Sequence, residues 1–465
     1  MNFIGREKEI SELNAFVEKP GFGAALIYGR RRVGKTSLIN RCLADWKGKG
    51  RIVAFTGARS SLQANLGNLK RSIEEAFPET SGFSFENLDA AMGYLFEASK
   101  NEKVIVVLDE YPYLRAFCPE IDDIVLRYSD RYQDRNLKLI LSGSTVGTMV
   151  GLNDRDSVLH GRFRLIMNIE PFDYYEAAKF VPGYSDDEKF RTYAVFGGIP
   201  YFLSFLNDSL TLRENIERLF ISTSSPLEPE INYSLMGEMR KVDNASLVLD
   251  LIARGHRRYT DLKRHYASSG MKANGFDNVI QKLTEASFIE KTYPINFPNE
   301  ASKSSYRLTD NAVLFYYSLI DGNQSRNFLA PAACYDRMEE AIEKRYLPFL
   351  FEKVSREFLA RLSRRGLRIP PFTNIGTYYY DLPSEHRNGQ FDVAAVDESG
   401  YVLFECKYAS RPVGMDVIKE EEWQAALSGL APHRLGFIAR NGFATEVDRA
   451  KYELYQLADF YDDRL

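Results

Sequence analysis

The chain has 465 residues, of which 45% are hydrophobic and 27% are charged, and its formal net charge is −4. This composition is ordinary for a globular protein, and it excludes a chain that is basic throughout, so any nucleic-acid binding must come from a local patch. The length suits about three domains, each large enough for its own core.

The cysteines and the apolar segments indicate the cellular compartment of the protein. The four cysteines lie far apart and form no C-x-x-C pair, so reduced thiols are expected rather than a zinc site or disulfides; they are Cys42, Cys118, Cys334 and Cys406. The first residues lack the apolar core of a signal peptide, and no apolar run approaches the length of a membrane span. The expected location is the cytoplasm, with no membrane partner.

The most informative motif is a glycine-rich loop of the form G-x-x-x-x-G-K-[ST] at residues 29–36. It follows an apolar run at 24–28 and opens a segment that can continue as a helix, which is the context the motif requires. Backbone amides would cradle phosphates, Lys35 would reach the β- and γ-phosphates, and the Thr36 hydroxyl would bind Mg²⁺. A basic glycine-rich turn is the alternative that the flanking pattern disfavours. The predicted nucleotide-binding residues are Gly29, Arg30, Arg31, Arg32, Val33, Gly34, Lys35, Thr36 and Ser37.

The strongest strand pattern, at residues 104–108, is followed by Asp109 and Glu110. A continuous β-branched run suits the middle of a parallel sheet, whose carboxyl edge is where ligands bind. Asp109 can hold the Mg²⁺ that Thr36 touches, and Glu110 can polarise the attacking water. An isolated Asp-Glu pair would be read as a solvated strand end, but the spacing from the loop favours the catalytic interpretation.

Two further positions are candidates near the γ-phosphate. Ser144, or else Ser142, ends a buried strand at 137–141 and could sense hydrolysis, with a plain polar turn as the alternative. Arg162 precedes an alternating edge strand at 165–169 and could neutralise transition-state charge within its own subunit or from a neighbour. An ordinary surface arginine explains its spacing equally well.

Several short motifs occur in one order over roughly the first 320 residues. Together they resemble the archaeal-type ATPase family of P-loop proteins, which is found in archaea and bacteria and is related to AAA-type and STAND ATPases. The resemblance implies that residues 3–6 pack near the adenine, that Arg162 is an arginine finger or sensor, and that the turn at 197–200 lies in a helical lid. The motifs lie at residues 3–7, 29–37, 108–110, 141–144, 161–162, 170–172 and 196–200.

Beyond a linker-like stretch at 222–229, the pattern predicts three helices and a hairpin, which together make a winged helix-turn-helix. A local positive patch and the exposed face of the third helix favour DNA contact, although such domains also serve as protein-docking modules. The predicted segments are helices at 246–253 (capped by Asn244), 261–266 (capped by Thr260) and about 274–286, then strands at 288–293 and 305–308. The patch is Arg254, Arg257, Arg258, Lys263 and Arg264, and the third-helix face holds Lys272, Asn274, Asn278, Gln281 and Lys282.

The C-terminal third begins with a predicted long helix at 338–362 and continues to a hairpin of strands at 390–396 and 401–408. Asp392 lies on the first strand, while Glu405 and Lys407 share one face of the second because side chains alternate. Two carboxylates and a lysine suit Mg²⁺-dependent phosphodiester cleavage, with Asp392 and Glu405 as metal ligands. The motif is weak by itself, because D…E-x-K arises often by chance.

This region resembles PD-(D/E)xK nuclease-like domains. The resemblance implies that Glu352, Asp392, Glu405 and Lys407 are the helix acid, first acid, second acid and lysine, although Phe391 stands where the family has proline. A retained fold with an idle site is the open alternative.

The predicted fold class is α/β, with a parallel-sheet P-loop NTPase core, helical lid, winged helix-turn-helix and C-terminal restriction-endonuclease-like domain. Their expected bounds are 1–175, 176–235, 236–325 and 330–465. The expected function is Mg²⁺-dependent ATP hydrolysis that controls a DNA-binding and possibly DNA-cleaving module. Candidate catalytic residues are Lys35, Glu110, Ser144, Arg162, Glu352, Asp392, Glu405 and Lys407. A STAND-like ATP-dependent switch, which assembles into homo-oligomers or docks a protein partner, is the second hypothesis.

Overall fold

A computed structural model of the chain describes residues 3–239, 244–272, 275–382 and 387–465. Two compact units make up the chain. The first unit holds the described residues up to Pro171 together with Glu285–Ser287, and the second holds the other described residues.

The first unit is built on a five-stranded parallel sheet. Its strands are β1 Gly23–Tyr28, β2 Arg51–Thr56, β3 Val104–Asp109, β4 Leu137–Gly143 and β5 Phe163–Asn168. They lie in the order β2-β3-β4-β1-β5, and every neighbouring pair is parallel. Strands β3 and β4 are buried along their whole length, as their continuous apolar runs predict. The predicted parallel P-loop core is confirmed.

Helices cover both faces of this sheet. They are α1 Glu7–Glu18, α2 Lys35–Trp46, α3 Leu62–Ala76, α4 Leu88–Ala98, α5 Tyr111–Phe117, α6 Ile121–Arg131 and α7 Val146–Gly151. Successive residues of a strand point to opposite faces, so Val106 joins one apolar core while Ile105 and Val107 join the other. The two faces are thereby filled, and the carboxyl edge of the sheet is left to bind a ligand.

The second unit begins with a group of short helices. They are α8 Tyr174–Ala178, α9 Asp186–Phe196, α10 Pro200–Leu203, α11 Leu212–Ile216, a π-helical turn Glu217–Ile221, and α12 Leu227–Met239. Capping boxes start two of these helices. Ser185 precedes α9 and pairs with Glu188 in its first turn, and Thr211 precedes α11 and pairs with Glu214 in the same way. The turn at 197–200 joins α9 to α10, in agreement with the place that the family resemblance implies. The bounds of the helical lid, 176–235, stay a prediction.

Three helices and an antiparallel hairpin follow, and they form the predicted winged helix-turn-helix. The elements are α13 Ala245–Ala253, α14 Tyr259–Ser268, α15 Phe276–Glu285, β6 Ile289–Thr292 and β7 Ser305–Leu308. The apolar face predicted for the third helix is buried, with Phe276 and Leu283 fully enclosed.

The helix starts within this motif differ from the prediction. Asn244 precedes α13 in a left-handed conformation, and its side chain makes no capping hydrogen bond. Helix α14 begins at Tyr259, so Thr260 lies inside it and Arg258 takes the capping position without a side-chain bond. Both capping predictions were wrong, because tertiary packing of the apolar face set the helix starts. Asn274 lies outside the described residues.

The C-terminal region is a mixed sheet flanked by helices. Its helices are α16 Asn311–Phe315, α17 Pro331–Ala341, α18 Leu347–Arg364 and α19 Met415–Leu427, and its strands are β8 Asn374–Leu382, β9 Arg387–Asp397, β10 Gly400–Lys407, β11 Arg434–Ala439 and β12 Glu453–Gln456. The order is β12-β11-β10-β9-β8, with β8, β9 and β10 antiparallel and β10, β11 and β12 parallel. The predicted hairpin at 390–408 is confirmed.

The long helix predicted at 338–362 is interrupted. A π-helical turn, Ile342–Tyr346, separates α17 from α18, and Pro348 lies in the first turn of α18. Proline has no N–H to donate to the preceding turn, so the backbone pattern changes there. Within the described ranges, the helices lack the length and apolar character that crossing a bilayer requires.

Candidate active sites

The glycine-rich loop between β1 and α2 has a backbone shape that only glycine tolerates at its first position. Gly29 has φ 149°, and a Cβ there would lie 2.2 Å from the carbonyl oxygen of Ile169. Gly34 has φ 93° immediately before α2. The close approach of Gly29 to the end of β5 therefore fixes the loop at the carboxyl edge of the sheet.

Lys35 is the first residue of α2 and is 6% exposed. Its Nζ donates hydrogen bonds to the carbonyl oxygens of Gly29 at 2.9 Å and Arg30 at 3.0 Å. The ammonium group is thus held inside the loop, at the amino end of a 12-residue helix. Both features favour an anion at this point.

The remaining loop residues divide between buried and exposed positions. Val33 is fully buried and Arg30 is nearly so, whereas the side chains of Arg32 and Ser37 are exposed. Arg31 donates a hydrogen bond to the Tyr113 hydroxyl. The loop therefore presents mainly its backbone to a ligand, and sequence reasoning did not identify Tyr113 as a partner.

Thr36 and Asp109 meet at the carboxyl end of β3. The Thr36 Oγ1 donates a hydrogen bond of 2.7 Å to Asp109 Oδ2, and Asp109 is 6% exposed. A hydroxyl and a carboxylate oxygen are the ligand types that Mg²⁺ prefers. The two residues that sequence reasoning paired as metal ligands are thus in contact.

Glu110 follows Asp109 in a left-handed conformation with φ 50°. Non-glycine residues adopt this region rarely, and such strain concentrates at functional sites. Ser144, at the end of the neighbouring strand β4, donates a hydrogen bond of 3.0 Å from Oγ to Glu110 Oε2. Ser142 is buried, and its hydroxyl has no hydrogen-bond partner within the described ranges. Of the two serine candidates, Ser144 is the one that contacts the acid.

Arg6 lies beside the phosphate loop, and the placement of residues 3–6 near the adenine stays a prediction. Its guanidinium donates a hydrogen bond to the carbonyl oxygen of Val33 at 3.4 Å and another to that of Glu170. Arg6 therefore ties the segment before α1 to the phosphate loop and to the chain after β5.

Arg162 lies far from the loop. It immediately precedes β5, where Phe163 pairs with Ala24 at the beginning of β1, whereas the loop follows Tyr28 at the end of β1. The four residue steps from Ala24 to Tyr28 span about 13 Å. Arg162 Nη2 lies 3.2 Å from Asp130 Oδ2. Arg162 therefore lies toward the opposite end of β1 from the loop, and its role as an arginine finger, within its own subunit or in a neighbour, stays a prediction.

In the second unit, Glu352, Asp392 and Glu405 form a separate acidic group. Helix α18 supplies Glu352, and the register of β9 and β10 places Asp392 one position beyond the Val393–Phe404 pair, opposite Glu405. Burial and the Asp392 carboxylate raise the pKa of Glu352 to about 8. Burial and Glu421 raise the pKa of Glu405 to about 6. The raised pKa values of Glu352 and Glu405 mean that a nearby cation would favour the ionised form of both side chains.

Lys407 lies on the same face of β10 as Glu405. Its Nζ is 2.7 Å from Glu405 Oε1 and 3.2 Å from Glu421 Oε1. Sequence reasoning missed Glu421, which is 8% exposed on α19. A signal was present, because Ile418, Glu421 and Ala425 follow the helical period and all three are buried.

The carboxylates of this group are not gathered tightly. In the described part of the chain, none of these carboxylates belongs to a set of three side chains whose ligand atoms all lie within 4.8 Å of one another. Asp392 Oδ1 instead accepts a hydrogen bond of 2.8 Å from Gln390. Glu352, Asp392 and Glu405 are therefore neighbours, but a metal ion would require their side chains to converge.

Arg257, predicted for a DNA-facing patch, lies against this acidic group. Its guanidinium carbon is 4.3 Å from the centre of the Phe349 ring on α18. Burial lowers the pKa of Arg257, and the nearby Glu352 and Asp392 carboxylates partly oppose that effect. Arg257 was predicted as part of a local positive patch, but its side chain contacts Phe349, far along the chain in the C-terminal region.

The rest of the basic patch is largely paired with acids. Three acids, Asp250, Asp261 and Asp277, approach it. The pairs are Arg254–Asp250, Lys263–Asp277 and Arg264–Asp261, while Arg258 is exposed. On the third-helix face, Lys272, Asn278 and Gln281 are exposed and Lys282 is half-buried.

The first part of the chain is similar to a family of known proteins. Residues 3–206 match a family described as ATPase domains predominantly from Archaea. The match extends from the first unit into the start of the second. The ATPase domain contains the phosphate loop, Asp109, Glu110 and Ser144, so the archaeal-type resemblance is confirmed.

Relatives extend the similarity beyond the ATPase domain. An uncharacterised protein of Methanocaldococcus jannaschii is 26% identical over 401 residues, which is 85% of each chain. A Walker-type ATPase of Pyrococcus abyssi is 19% identical, with a TM-score of 0.50, over 68% of this chain and 96% of its own. It shares the fold. The ORC2 protein of Aeropyrum pernix, in ADPNP–ADP complexes, is 12% identical with a TM-score of 0.41, over 68% of this chain and 95% of its own.

A second family match covers residues 316–425 and is described as archaeal and bacterial proteins of unknown function. This segment follows the ATPase domain in the chain and contains Glu352, Asp392, Glu405, Lys407 and Glu421. The acidic group therefore lies within a family whose activity its description leaves open.

Proposed function

We propose that the ATPase domain hydrolyses ATP with Mg²⁺, using Lys35, Thr36, Asp109, Glu110 and Ser144. The observation that carries this proposal is the contact of Thr36 with Asp109 at 2.7 Å, directly beside the loop. A hydroxyl and a carboxylate fit Mg²⁺, which when bound supplies charge neutralisation of the phosphates.

The chain's own residues then have distinct tasks. The loop amides and Lys35 hold the β- and γ-phosphates, and the lysine ammonium offsets the negative charge that shifts toward the leaving group. Glu110 orients a water molecule and accepts its proton. Ser144 positions Glu110 through the 3.0 Å hydrogen bond. Arg162 would complete the site from a neighbouring subunit.

Replacing Thr36 with Val tests the assignment of the metal ligand. The variant keeps the shape of the side chain but removes the hydroxyl oxygen, so we expect the Mg²⁺ concentration for half-maximal ATP turnover to rise roughly tenfold or more, which corresponds to about 1.4 kcal/mol. Steady-state turnover across a Mg²⁺ series measures it. Thr223→Val is the matched control, because it makes the same change at an exposed position outside the ATPase domain. An unchanged Mg²⁺ dependence in Thr36→Val would contradict the assignment.

For the second unit, we infer that it acts on DNA and that the nucleotide bound to the ATPase domain controls this activity. The order of elements supports a PD-(D/E)xK nuclease-like domain: helix α18, the antiparallel strands β8 to β10, helix α19, then the parallel strand β11. Asp392 and Glu405 would hold Mg²⁺, which supplies a lowered pKa of bound water, and Lys407 would steady the nucleophile or the developing charge. The exposed face of α15 would contact DNA.

The second candidate function is a STAND-like switch in which this acidic group is idle and the second unit docks a partner. One observation favours it: the charge of Arg257 interacts with the carboxylates of Glu352 and Asp392, and it would offset their negative charge without a metal ion. Under this candidate, ATP would drive oligomerisation of the full chain without any affinity for DNA. Size measurements with and without ATP, alongside DNA titration, separate the two functions.

The raised pKa of Glu352 predicts that burial of this side chain destabilises the folded protein by an amount that depends on pH. The folded chain keeps a proton up to about pH 8 that the unfolded chain loses near pH 4.5, so the stability of the metal-free protein falls as pH rises through that window. We expect Glu352→Gln to match the wild-type melting temperature near pH 4.5 and to exceed it by several degrees at pH 8. Thermal melts in a chelator measure this difference. Glu398→Gln, at an exposed position, should show no such trend, and a difference independent of pH would contradict the prediction.

A further inference from the structure

Two of the five histidines in the chain meet at the turn between the first two helices of the winged helix-turn-helix. His256 lies in the turn after α13, whereas Asp261 and His265 lie on α14. Residues four positions apart share one face of a helix, so Asp261 and His265 point to the same side. The turn brings His256 to that side.

The three side chains surround one small volume. His256 Nδ1 lies 2.7 Å from Asp261 Oδ2, and His265 Nε2 lies 3.5 Å from Asp261 Oδ1. The centres of the two imidazole rings are 3.9 Å apart, with 34° between their planes. One ligand atom from each residue can be chosen so that all three lie within 4.8 Å of one another.

The donor set has a defined chemical preference. Two imidazole nitrogens and one carboxylate oxygen suit a divalent transition metal such as Zn²⁺, whereas Mg²⁺ and Ca²⁺ prefer oxygen ligands throughout. All three side chains are about one-third exposed, which leaves a path for an ion to enter.

We propose that His256, Asp261 and His265 form a binding site for a zinc-class divalent transition metal. The metal ties the turn after α13 to the middle of α14, and it therefore fixes the angle between the two helices that support α15. The site is separate from the phosphate loop and from the carboxylates of the C-terminal sheet. Three protein ligands leave a fourth position for water or for a donor from a binding partner.

Arg264 is the competing cation. Its guanidinium forms a hydrogen bond to Asp261 Oδ1, the oxygen that also faces His265. Metal binding must displace this contact, so removing the arginine charge should strengthen binding. An ordinary surface ion pair between a histidine and an aspartate would show no such dependence on Arg264.

The test uses the full-length protein, freed of metal by a chelator and then titrated with Zn²⁺ by calorimetry. We expect His256→Gln and His265→Gln each to weaken one binding event by roughly 100-fold or more, and Arg264→Gln to strengthen it. His433→Gln, a histidine paired with Asp397 elsewhere in the second unit, is the matched control and should leave binding unchanged.

Cobalt(II) supplies a second readout that does not depend on stability. A tetrahedral site should give intense visible absorption with the wild-type protein, and this absorption should vanish in both histidine variants. Circular dichroism shows whether each variant remains folded. Zinc binding and cobalt absorption that are unchanged in both variants would overturn the proposal, as would weak absorption of the kind seen for hydrated cobalt in the wild type.

Discussion

Replacing Glu110 with Gln is expected to lower ATP turnover by roughly 10²- to 10⁴-fold while ATP binding stays near the wild-type affinity. The amide keeps the size of the side chain, and its carbonyl oxygen can still accept the hydrogen bond from Ser144, which is 3.0 Å from the carboxylate. It cannot accept a proton from the attacking water. Single-turnover hydrolysis and titration with a fluorescent nucleotide measure the two quantities separately.

Two further variants distinguish the role of Glu110 as the general base from the roles of Lys35 and Ser144. Lys35→Ala should lose turnover and also weaken nucleotide binding, because Lys35 acts on the phosphates themselves. Ser144→Ala should reduce turnover less than Glu110→Gln, because the acid remains and only its position loosens. Wild-type turnover in Glu110→Gln would reject Glu110 as the general base. The Lys35→Ala variant would still show whether the loop binds the nucleotide phosphates.

Local patterns were sufficient for most of the fold. The hairpin strand β7 begins and ends where the pattern predicts, and its alternation places Tyr306 and Leu308 on the buried face. The contact of Thr36 with Asp109 also agrees with the pairing that the sequence indicates, whereas the contact of Ser144 with Glu110 was not predicted. Parallel strands end at one edge of the sheet, so residues that follow neighbouring strands must approach each other.

Contacts between distant segments were not predictable in the same way. Arg257 reads as part of a basic cluster, yet it lies against Phe349 because the wing of the winged helix packs it there, with the amide of Tyr306 bonded to its carbonyl. Glu421 was hidden among three consecutive acids at 420–422. Arg162 was judged by its spacing from the edge strand, but the direction of β5 places it at the opposite edge from the loop. Each of these depends on a tertiary partner.

Asp392→Ala and Lys407→Ala are each expected to reduce DNA cleavage below roughly a hundredth of the wild-type rate. Asp392 would lose its metal-binding oxygen. Lys407→Ala would leave Glu405 and Glu421, which the ammonium now joins at 2.7 Å and 3.2 Å, facing each other without a cation. Single-stranded, duplex and branched DNA in Mg²⁺ or Mn²⁺, with and without ATP, should be compared, and DNA binding measured on the same substrates.

The control for this experiment is Glu398→Ala, which removes an exposed acid from the turn between β9 and β10 without touching the acidic group. Cleavage lost in both site variants, kept in the control and altered by ATP would assign the reaction to Asp392 and Lys407. Cleavage at the wild-type rate in both variants would contradict that site. If no substrate is cut while ATP turnover is normal, Arg257 gains weight as the permanent counter-ion of Glu352 and Asp392, because a charge that replaces the metal leaves nothing to activate water. DNA binding without cleavage would then retain the winged helix as a nucleic-acid contact, whereas ATP-driven assembly without DNA binding would favour the switch.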